Sequence, residues 1–161
     1  MIEYEKVELD FLDSAPIKIS LSADLNLTPP ALFKLFEDPN AWEWATIKSV
    51  VWETEQPYGR GTTRTVDVSG QGKIQEYFLA WEQDQRMCFR FEQGEMNLVS
   101  ALVEDYQVEA LANDRCRLTW NIAMQLRGFM RILTPVLSGV MKRQFAGMLD
   151  TLVTSVNEKQ E

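Results

Sequence analysis

The chain contains no histidine and only two cysteines, Cys88 and Cys116, among its 161 residues. Without histidine, Ser-His and Cys-His nucleophilic mechanisms are excluded. A zinc site would also have almost no ligands, so we expect neither a metal ion nor another cofactor. Both cysteines fall in expected strands without CxxC spacing. That pattern favours two reduced, apolar side chains over a disulfide or a reactive pair.

Positive charge and long apolar runs are also scarce. The chain has 16 basic and 24 acidic residues, a net charge of −8 and a pI near 4.7. This balance argues against nucleic acid and anionic membrane surfaces as partners, because both attract basic patches. No apolar stretch reaches the ~20 residues that span a bilayer, and the first ten residues do not resemble a signal peptide. We therefore expect a cytoplasmic protein without stable membrane insertion, and no pattern indicates its oligomeric state.

The remaining composition, 45% hydrophobic, is enough for one domain with a buried core. We expect an acidic N-terminal arm at 1–15, a single domain at 16–158 and a C-terminal tail at 159–161. Apolar and polar residues alternate from Ile17 to Leu27, as in a half-buried strand. Thr28 and two prolines then predict the start of a short helix, and Asn40 is expected to cap a second one with the sequence AWEWATI.

The centre of the chain predicts an antiparallel meander that ends in one long helix. Turn residues separate six further runs expected as strands at 48–56, 62–69, 72–81, 86–93, 97–111 and 115–126. Seven strands with short connections favour one antiparallel sheet. Residues 129–158 carry apolar side chains at helical spacing and are expected to form one long helix, of which 129–133 is a preliminary turn. This expected helix is ~38–45 Å long, enough to cross the sheet, and the fold class is α+β.

The order of one strand, two short helices, six strands and a long helix resembles the helix-grip fold of START-related lipid-transfer proteins and birch-pollen allergens (the SRPBCC superfamily). Within that group the chain is most similar to the bacterial polyketide cyclase/dehydrase-like branch. The matching strings include PALFKLF with Asp38-Pro39, Trp42-Glu43-Trp44, Gly61-Thr62-Thr63-Arg64, Glu76 with Trp81-Glu82, and Arg117-Leu118-Thr119-Trp120. The resemblance implies a deep hydrophobic cavity between the sheet and the terminal helix. Members of this superfamily carry lipids, shape polyketides or only bind a ligand, so the resemblance implies one of these functions.

Strand alternation places a charged pair inside this expected cavity. If Ser69-Gly70-Gln71 is a three-residue loop, Arg64 lies opposite Glu76, with Cβ atoms ~4.5–5.5 Å apart. As a polar anchor for a ligand, Arg64 would donate hydrogen bonds and Glu76 would accept them. Glu76 is also the candidate catalytic residue, as a base, if burial raises its pKa. The alternative is an ion pair that only holds the sheet together.

Aromatic and flexible side chains are the other candidates for the cavity lining. Aromatic bodies with a polar tip suit flat or long apolar molecules, and methionine adapts to irregular shapes. With the charged pair, the expected ligand-binding residues are Arg64, Glu76, Phe78, Phe89, Phe91, Tyr106, Trp120, Val140, Met141 and Met148. Ordinary core packing is the alternative for each aromatic residue taken singly. Asp67, Glu104 and Asp105 are expected as exposed charges at the solvent side or end of their strands.

Three functions remain open at this point. The leading hypothesis is binding, with transport as an extension, of a small hydrophobic or lipid-like ligand in the cavity. The first alternative is a polyketide cyclase- or dehydratase-like enzyme in which Glu76, Tyr77 or Tyr106 moves a proton, and the second is a non-enzymatic module that binds a protein. A membrane-surface role for the terminal helix is not favoured, because Lys142 and Arg143 are few cations in an acidic chain.

Overall fold

The computed structural model describes residues 1–159, which form one sheet, three α-helices and two short 3-10 helices. The strands are β1 (Ile2–Glu3), β2 (Ile17–Leu25), β3 (Ile47–Trp52), β4 (Thr63–Val68), β5 (Gly72–Glu82), β6 (Arg86–Gly94), β7 (Val99–Leu111) and β8 (Arg115–Leu126). The α-helices are α1 (Phe11–Ser14), α2 (Pro29–Glu37) and α3 (Thr134–Lys159). The 3-10 helices are Glu43–Ala45 and Gly128–Leu133.

Every strand pair of the sheet is antiparallel, in the order β2-β8-β7-β6-β5-β4-β3, and β1 pairs with β6 outside this path. The curved sheet with a long C-terminal helix confirms the expected fold class, with β1 as one strand more than the seven expected. Helix α3 packs against β2 and the 3-10 helix Glu43–Ala45. It therefore covers one side of the sheet and leaves space above the strands further from β2.

The first short helix begins where the sequence predicts. The Thr28 side chain accepts a hydrogen bond from the Ala31 amide, and prolines occupy the first turn of α2. The prediction of a second short helix is wrong except for a single 3-10 turn, Glu43–Ala45. Thr46 adopts a left-handed conformation with φ of 58°, which ends the turn immediately. The Trp42 indole donates to the Phe36 carbonyl at 3.0 Å, and this hydrogen bond ties the turn to α2.

The N-terminal residues cover the outer face of the sheet, away from α3. Phe11 and Ala15 are buried there against Leu79 and other small apolar side chains of the strands. Arg90 donates from Nη1 to the Val7 carbonyl at 3.2 Å, which fastens the same segment to β6. The acidic composition of residues 1–15 gave no indication of this second, outer core. At the other end, the expected tail begins at Lys159, the last residue of α3, while residues 160–161 lie outside the described residues.

Candidate functional site

A cavity of about 590 Å³ lies between the inner face of the sheet and α3. Its walls come from β3 to β8, from the segment that follows α2, and from the middle of α3. The exposed lining residues mark its mouth, and all are polar or glycine: Thr46, Ser69, Gln71, Gln144, Gly147 and Thr151. The mouth thus opens between the β4–β5 turn and α3.

Eight of the ten ligand-binding residues expected from the sequence lie in this lining: Arg64, Glu76, Phe89, Phe91, Tyr106, Trp120, Met141 and Met148. The other two do not, and their placement corrects the sequence interpretation. Phe78 is fully buried, but it packs against the Trp52 and Phe89 rings, whose centroids are 5.7 Å and 5.3 Å from its own, and it does not line the cavity. Val140 is 46% exposed, because it lies about 100° around the helix from the buried Met141.

Arg64 and Glu76 form a buried ion pair in the cavity wall. The structure confirms the expected register, with Arg64 opposite Glu76 and Val68 opposite Gly72. The Arg64 Nε donates to Glu76 Oε2, and both side chains are almost inaccessible to solvent. Burial raises the pKa of Glu76, and the attraction of the Arg64 guanidinium opposes this change.

The guanidinium of Arg64 is only partly satisfied by the protein. Its Nη1 and Nη2 atoms are buried and have no hydrogen-bond partner among residues 1–159. Its Cζ atom lies 4.4 Å from the centroid of the Trp42 ring and 5.1–5.3 Å from the centroids of Trp52, Phe89 and Phe78. These rings stabilise the cation without supplying acceptors in their planes. Two strong donors therefore lie in the cavity wall without a hydrogen-bond partner among the described residues.

Glu104 is the cavity-lining carboxylate that the sequence wrongly predicted as an exposed charge. It lines the cavity, and its Oε1 accepts hydrogen bonds from the Tyr106 hydroxyl at 3.0 Å and the Trp120 indole at 2.9 Å. Burial, followed by repulsion from Glu76, raises the pKa of Glu104 to about 7, while the two hydrogen bonds oppose the rise. Its position could have been found from the strand pattern, because Glu104, Tyr106 and Val108 are every second residue of β7 and so point to the same inner face.

The expectation of exposed charges was also wrong for Asp105. This residue faces the outer side of the sheet but is 1% exposed, and Arg86 Nε, which donates to its Oδ1 at 2.7 Å, compensates the buried charge. Asp67 remains half-buried on β4. Neighbouring acidic residues on β7 thus point to opposite faces, and only Glu104 reaches the cavity.

The candidate proton-transfer residues are separated by the sheet. Tyr77 faces the outer side, where the Arg90 Cζ lies 4.4 Å from the centroid of its ring. Tyr106 lines the cavity, but burial raises its pKa well above its usual value, so its hydroxyl keeps its proton at neutral pH. Glu104 is thus a cavity group whose pKa is raised to about 7.

We expect the Tyr106→Phe replacement to raise the pKa of Glu104 further above its ordinary value and to lower the free energy of unfolding by about 1 kcal/mol. The reason is the loss of one of two donors to the Glu104 carboxylate. Carboxyl NMR titration and urea denaturation measure the two effects. Tyr4→Phe is the matched control, because the Tyr4 hydroxyl donates to the Met96 carbonyl instead. An unchanged Glu104 pKa in Tyr106→Phe would contradict this assignment.

Within residues 1–159, no group of three or more His, Cys, Asp or Glu side chains is placed to hold a metal ion. The same part of the chain has no helix long and apolar enough to cross a bilayer.

Residues 16–157 match the family described as polyketide cyclase / dehydrase and lipid transport. The chain belongs to this family. Uncharacterized proteins of Mycobacterium tuberculosis and Mycobacterium bovis are 40% identical to it over 149 residues, which is 89% of this chain and 89% of each relative. The matched family agrees with the polyketide cyclase/dehydrase-like branch expected from the sequence strings.

Comparison with solved structures confirms that this family member has the helix-grip fold. A START superfamily protein from Mycobacterium smegmatis superposes with a TM-score of 0.73 at 14% identity, over 88% of this chain and 98% of that one. The Zhui aromatase/cyclase of a Streptomyces species gives a TM-score of 0.67 at 12% identity, over 89% and 95%. At such low identities the likeness concerns the fold alone.

Proposed function

We propose that this protein binds one small, largely apolar molecule in the cavity, with an oxygen acceptor of that molecule held by Arg64. The observation that carries the proposal is the buried guanidinium, whose Nη1 and Nη2 have no partner among residues 1–159. Leaving buried donors unsatisfied costs free energy, and a ligand oxygen removes that cost. The ion pair with Glu76 holds the guanidinium in place and leaves the two Nη donors for the ligand.

The size and lining of the cavity support an apolar ligand. A volume of about 590 Å³ falls within the range of roughly 300–1,000 Å³ that is typical of small-molecule sites. Phe89, Phe91 and Trp120 offer flat apolar surface on the sheet side, and Met141 and Met148 offer flexible side chains on the helix side. This combination accommodates a range of hydrophobic shapes.

The charges around Arg64 favour a neutral acceptor such as a ketone, ester or hydroxyl oxygen. Arg64 is already paired with Glu76, and Glu104 lies in the same cavity wall. A ligand carboxylate would add a further negative charge beside two acidic side chains in a buried space, where like charges repel strongly. A neutral oxygen accepts from Nη1 or Nη2 without that repulsion.

Transport is the extension of this proposal. The mouth carries polar residues and glycine on both sides, and the exposed positions of Ser69, Gln71 and Gln144 put it in contact with solvent. A bound molecule then enters and leaves between α3 and the β4–β5 turn without unfolding of the sheet. Exchange of the ligand between donor and acceptor surfaces needs no chemical step.

The binding proposal is tested with Prodan, a neutral fluorescent naphthyl ketone. We expect Met148→Trp to weaken Prodan binding about tenfold or more, because the larger ring occupies cavity space. Val140→Trp is the matched control on the same helix, since Val140 does not line the cavity. Equal Prodan affinity in the two variants, measured by emission titration, would show that the cavity does not bind the probe.

A cyclising enzyme is the second candidate, and the pKa of about 7 at Glu104 favours it. A general base works best when its pKa is close to the pH of the reaction. Arg64 would donate to one carbonyl oxygen while Glu104 removes a proton from the adjacent carbon. The resulting enolate attacks a second carbonyl carbon, a carbon–carbon bond forms, and Glu104 returns the proton to the new alkoxide. With a poly-β-ketone substrate, Glu104→Gln should then abolish turnover while Prodan binding persists. Without turnover in the unaltered protein, this candidate is rejected.

A further inference from the structure

Five large apolar side chains are exposed together at the start of the C-terminal helical region. We define this docking face as Phe129, Ile132, Leu133, Val136 and Val140, which are 80%, 81%, 42%, 67% and 46% exposed. The 3-10 helix Gly128–Leu133 buries none of its side chains. Clustered apolar exposure of this kind marks interaction sites, whereas apolar residues exposed singly are normal on protein surfaces.

The charge around the docking face is opposite to that of the whole chain. No acidic residue occurs between Asp114 and Asp150, although the net charge of the protein is −8. Arg131, Lys142 and Arg143 are exposed in this interval and form no ion pair with any residue from 1 to 159. Arg143 lies seven residues after Val136 and so shares its side of the helix.

We propose that the docking face binds reversibly to the surface of an anionic phospholipid bilayer. Apolar side chains of this type bury at the boundary between headgroups and acyl chains, while neighbouring Lys and Arg residues contact the phosphates. The acidic remainder of the protein is repelled by such a surface, so only this face turns toward it. A second copy of the chain is a poorer occupant, because a twofold contact would bring the same cations of both copies together.

Docking in this orientation places the cavity close to the bilayer. Val140 of the docking face and Gly147 of the cavity mouth are seven residues apart, and thus two turns along one side of α3. The sequence alone does not favour this role, because Lys142 and Arg143 are few cations in an acidic chain. The structure, however, exposes Val136 and Val140. Their exposure, together with that of Phe129 and Ile132, supplies the apolar surface that Lys142 and Arg143 alone could not.

The proposal is tested by sedimentation of the full chain with two vesicle preparations, pure phosphatidylcholine and phosphatidylcholine with about 30 mol% phosphatidylglycerol. We expect binding to the anionic vesicles alone, and weaker binding as salt increases. Phe129→Ser/Ile132→Ser should reduce the affinity about tenfold or more. Lys142→Gln/Arg143→Gln should reduce it about fivefold per charge removed. None of these side chains is buried, so the fold is retained, which circular dichroism verifies.

Val51→Ser/Lys48→Gln is the matched control, because it removes one exposed apolar side chain and one cation from the edge strand β3. It should bind vesicles as the unaltered protein does. Absence of binding to anionic vesicles, or equal loss in the control, would overturn the proposal. It would also be overturned if light scattering showed a dimer that Phe129→Ser/Ile132→Ser dissociates, since a second copy would then cover the docking face.

Discussion

Replacing Arg64 with leucine is expected to lower the free energy of unfolding by about 3–5 kcal/mol at neutral pH. The Glu76 carboxylate is 2% exposed and has Arg64 as its hydrogen-bond partner. Removing the guanidinium leaves that charge buried without a partner, and burial alone strongly disfavours an ionised carboxylate. Urea denaturation followed by tryptophan fluorescence measures the change.

The double variant Arg64→Leu/Glu76→Leu provides the control for this prediction. It removes both charges, and replacing a buried ion pair with apolar residues is often neutral or stabilising. We therefore expect it to recover most of the lost stability. A loss below about 1 kcal/mol in Arg64→Leu, which is the range of exposed ion pairs, would contradict the buried pair. Since the double variant should fold, it also serves to test ligand anchoring, and its affinity for Prodan should fall.

Replacing Glu104 with glutamine is expected to stabilise the protein at pH 8 by up to about 3 kcal/mol. The pKa of Glu104 is about 7 in the folded protein, against an ordinary value of 4.5. Between these values the folded protein keeps a proton that the unfolded chain has released. Stability of the unaltered protein therefore falls as pH rises from about 4.5 to about 7, and this contribution is constant above that range. Glutamine has no such contribution and still accepts from Tyr106 and Trp120.

The measurement is the free energy of unfolding from pH 4.5 to pH 8 for three proteins. Glu104→Gln should lose the decline through this range, and its advantage over the unaltered protein should disappear near pH 4.5. Glu109→Gln removes an exposed carboxylate from the same strand and should keep the original profile. If Glu104→Gln and Glu109→Gln gave the same profile, the raised pKa of Glu104 would be refuted.

The architecture and the charged pair could be predicted because both depend on local patterns. Alternation located the strands, and the loop Ser69-Gly70-Gln71 set the register that brings Arg64 opposite Glu76. Gly70 and Gly72 both have positive φ, 77° and 84°, so the turn requires the conformations that glycine adopts most easily. Parity therefore placed six of the seven expected strand residues in the cavity lining, all except Phe78.

The remaining features depend on how elements pack against one another, which alternation does not specify. Glu104 shares the inner parity of Tyr106, but a carboxylate is normally solvated, and its partner Trp120 belongs to another strand. The spacing of Val140 is compatible with both the buried and the exposed side of α3. Only the packing of α3 on β2 decides that Val140 is exposed. Phe11 sits in a polar segment that finds its apolar partners across the outer sheet face.

Native mass spectrometry of the freshly purified protein tests the central proposal most directly, because it shows whether a small molecule occupies the cavity. We expect the unaltered protein to carry a noncovalent adduct of small-molecule size, before or after incubation with a total lipid extract. Met148→Trp should carry less of it and Val140→Trp the same amount. A protein that stays bare after that incubation, or equal adducts in both variants, would contradict binding between α3 and the Arg64 side of the sheet.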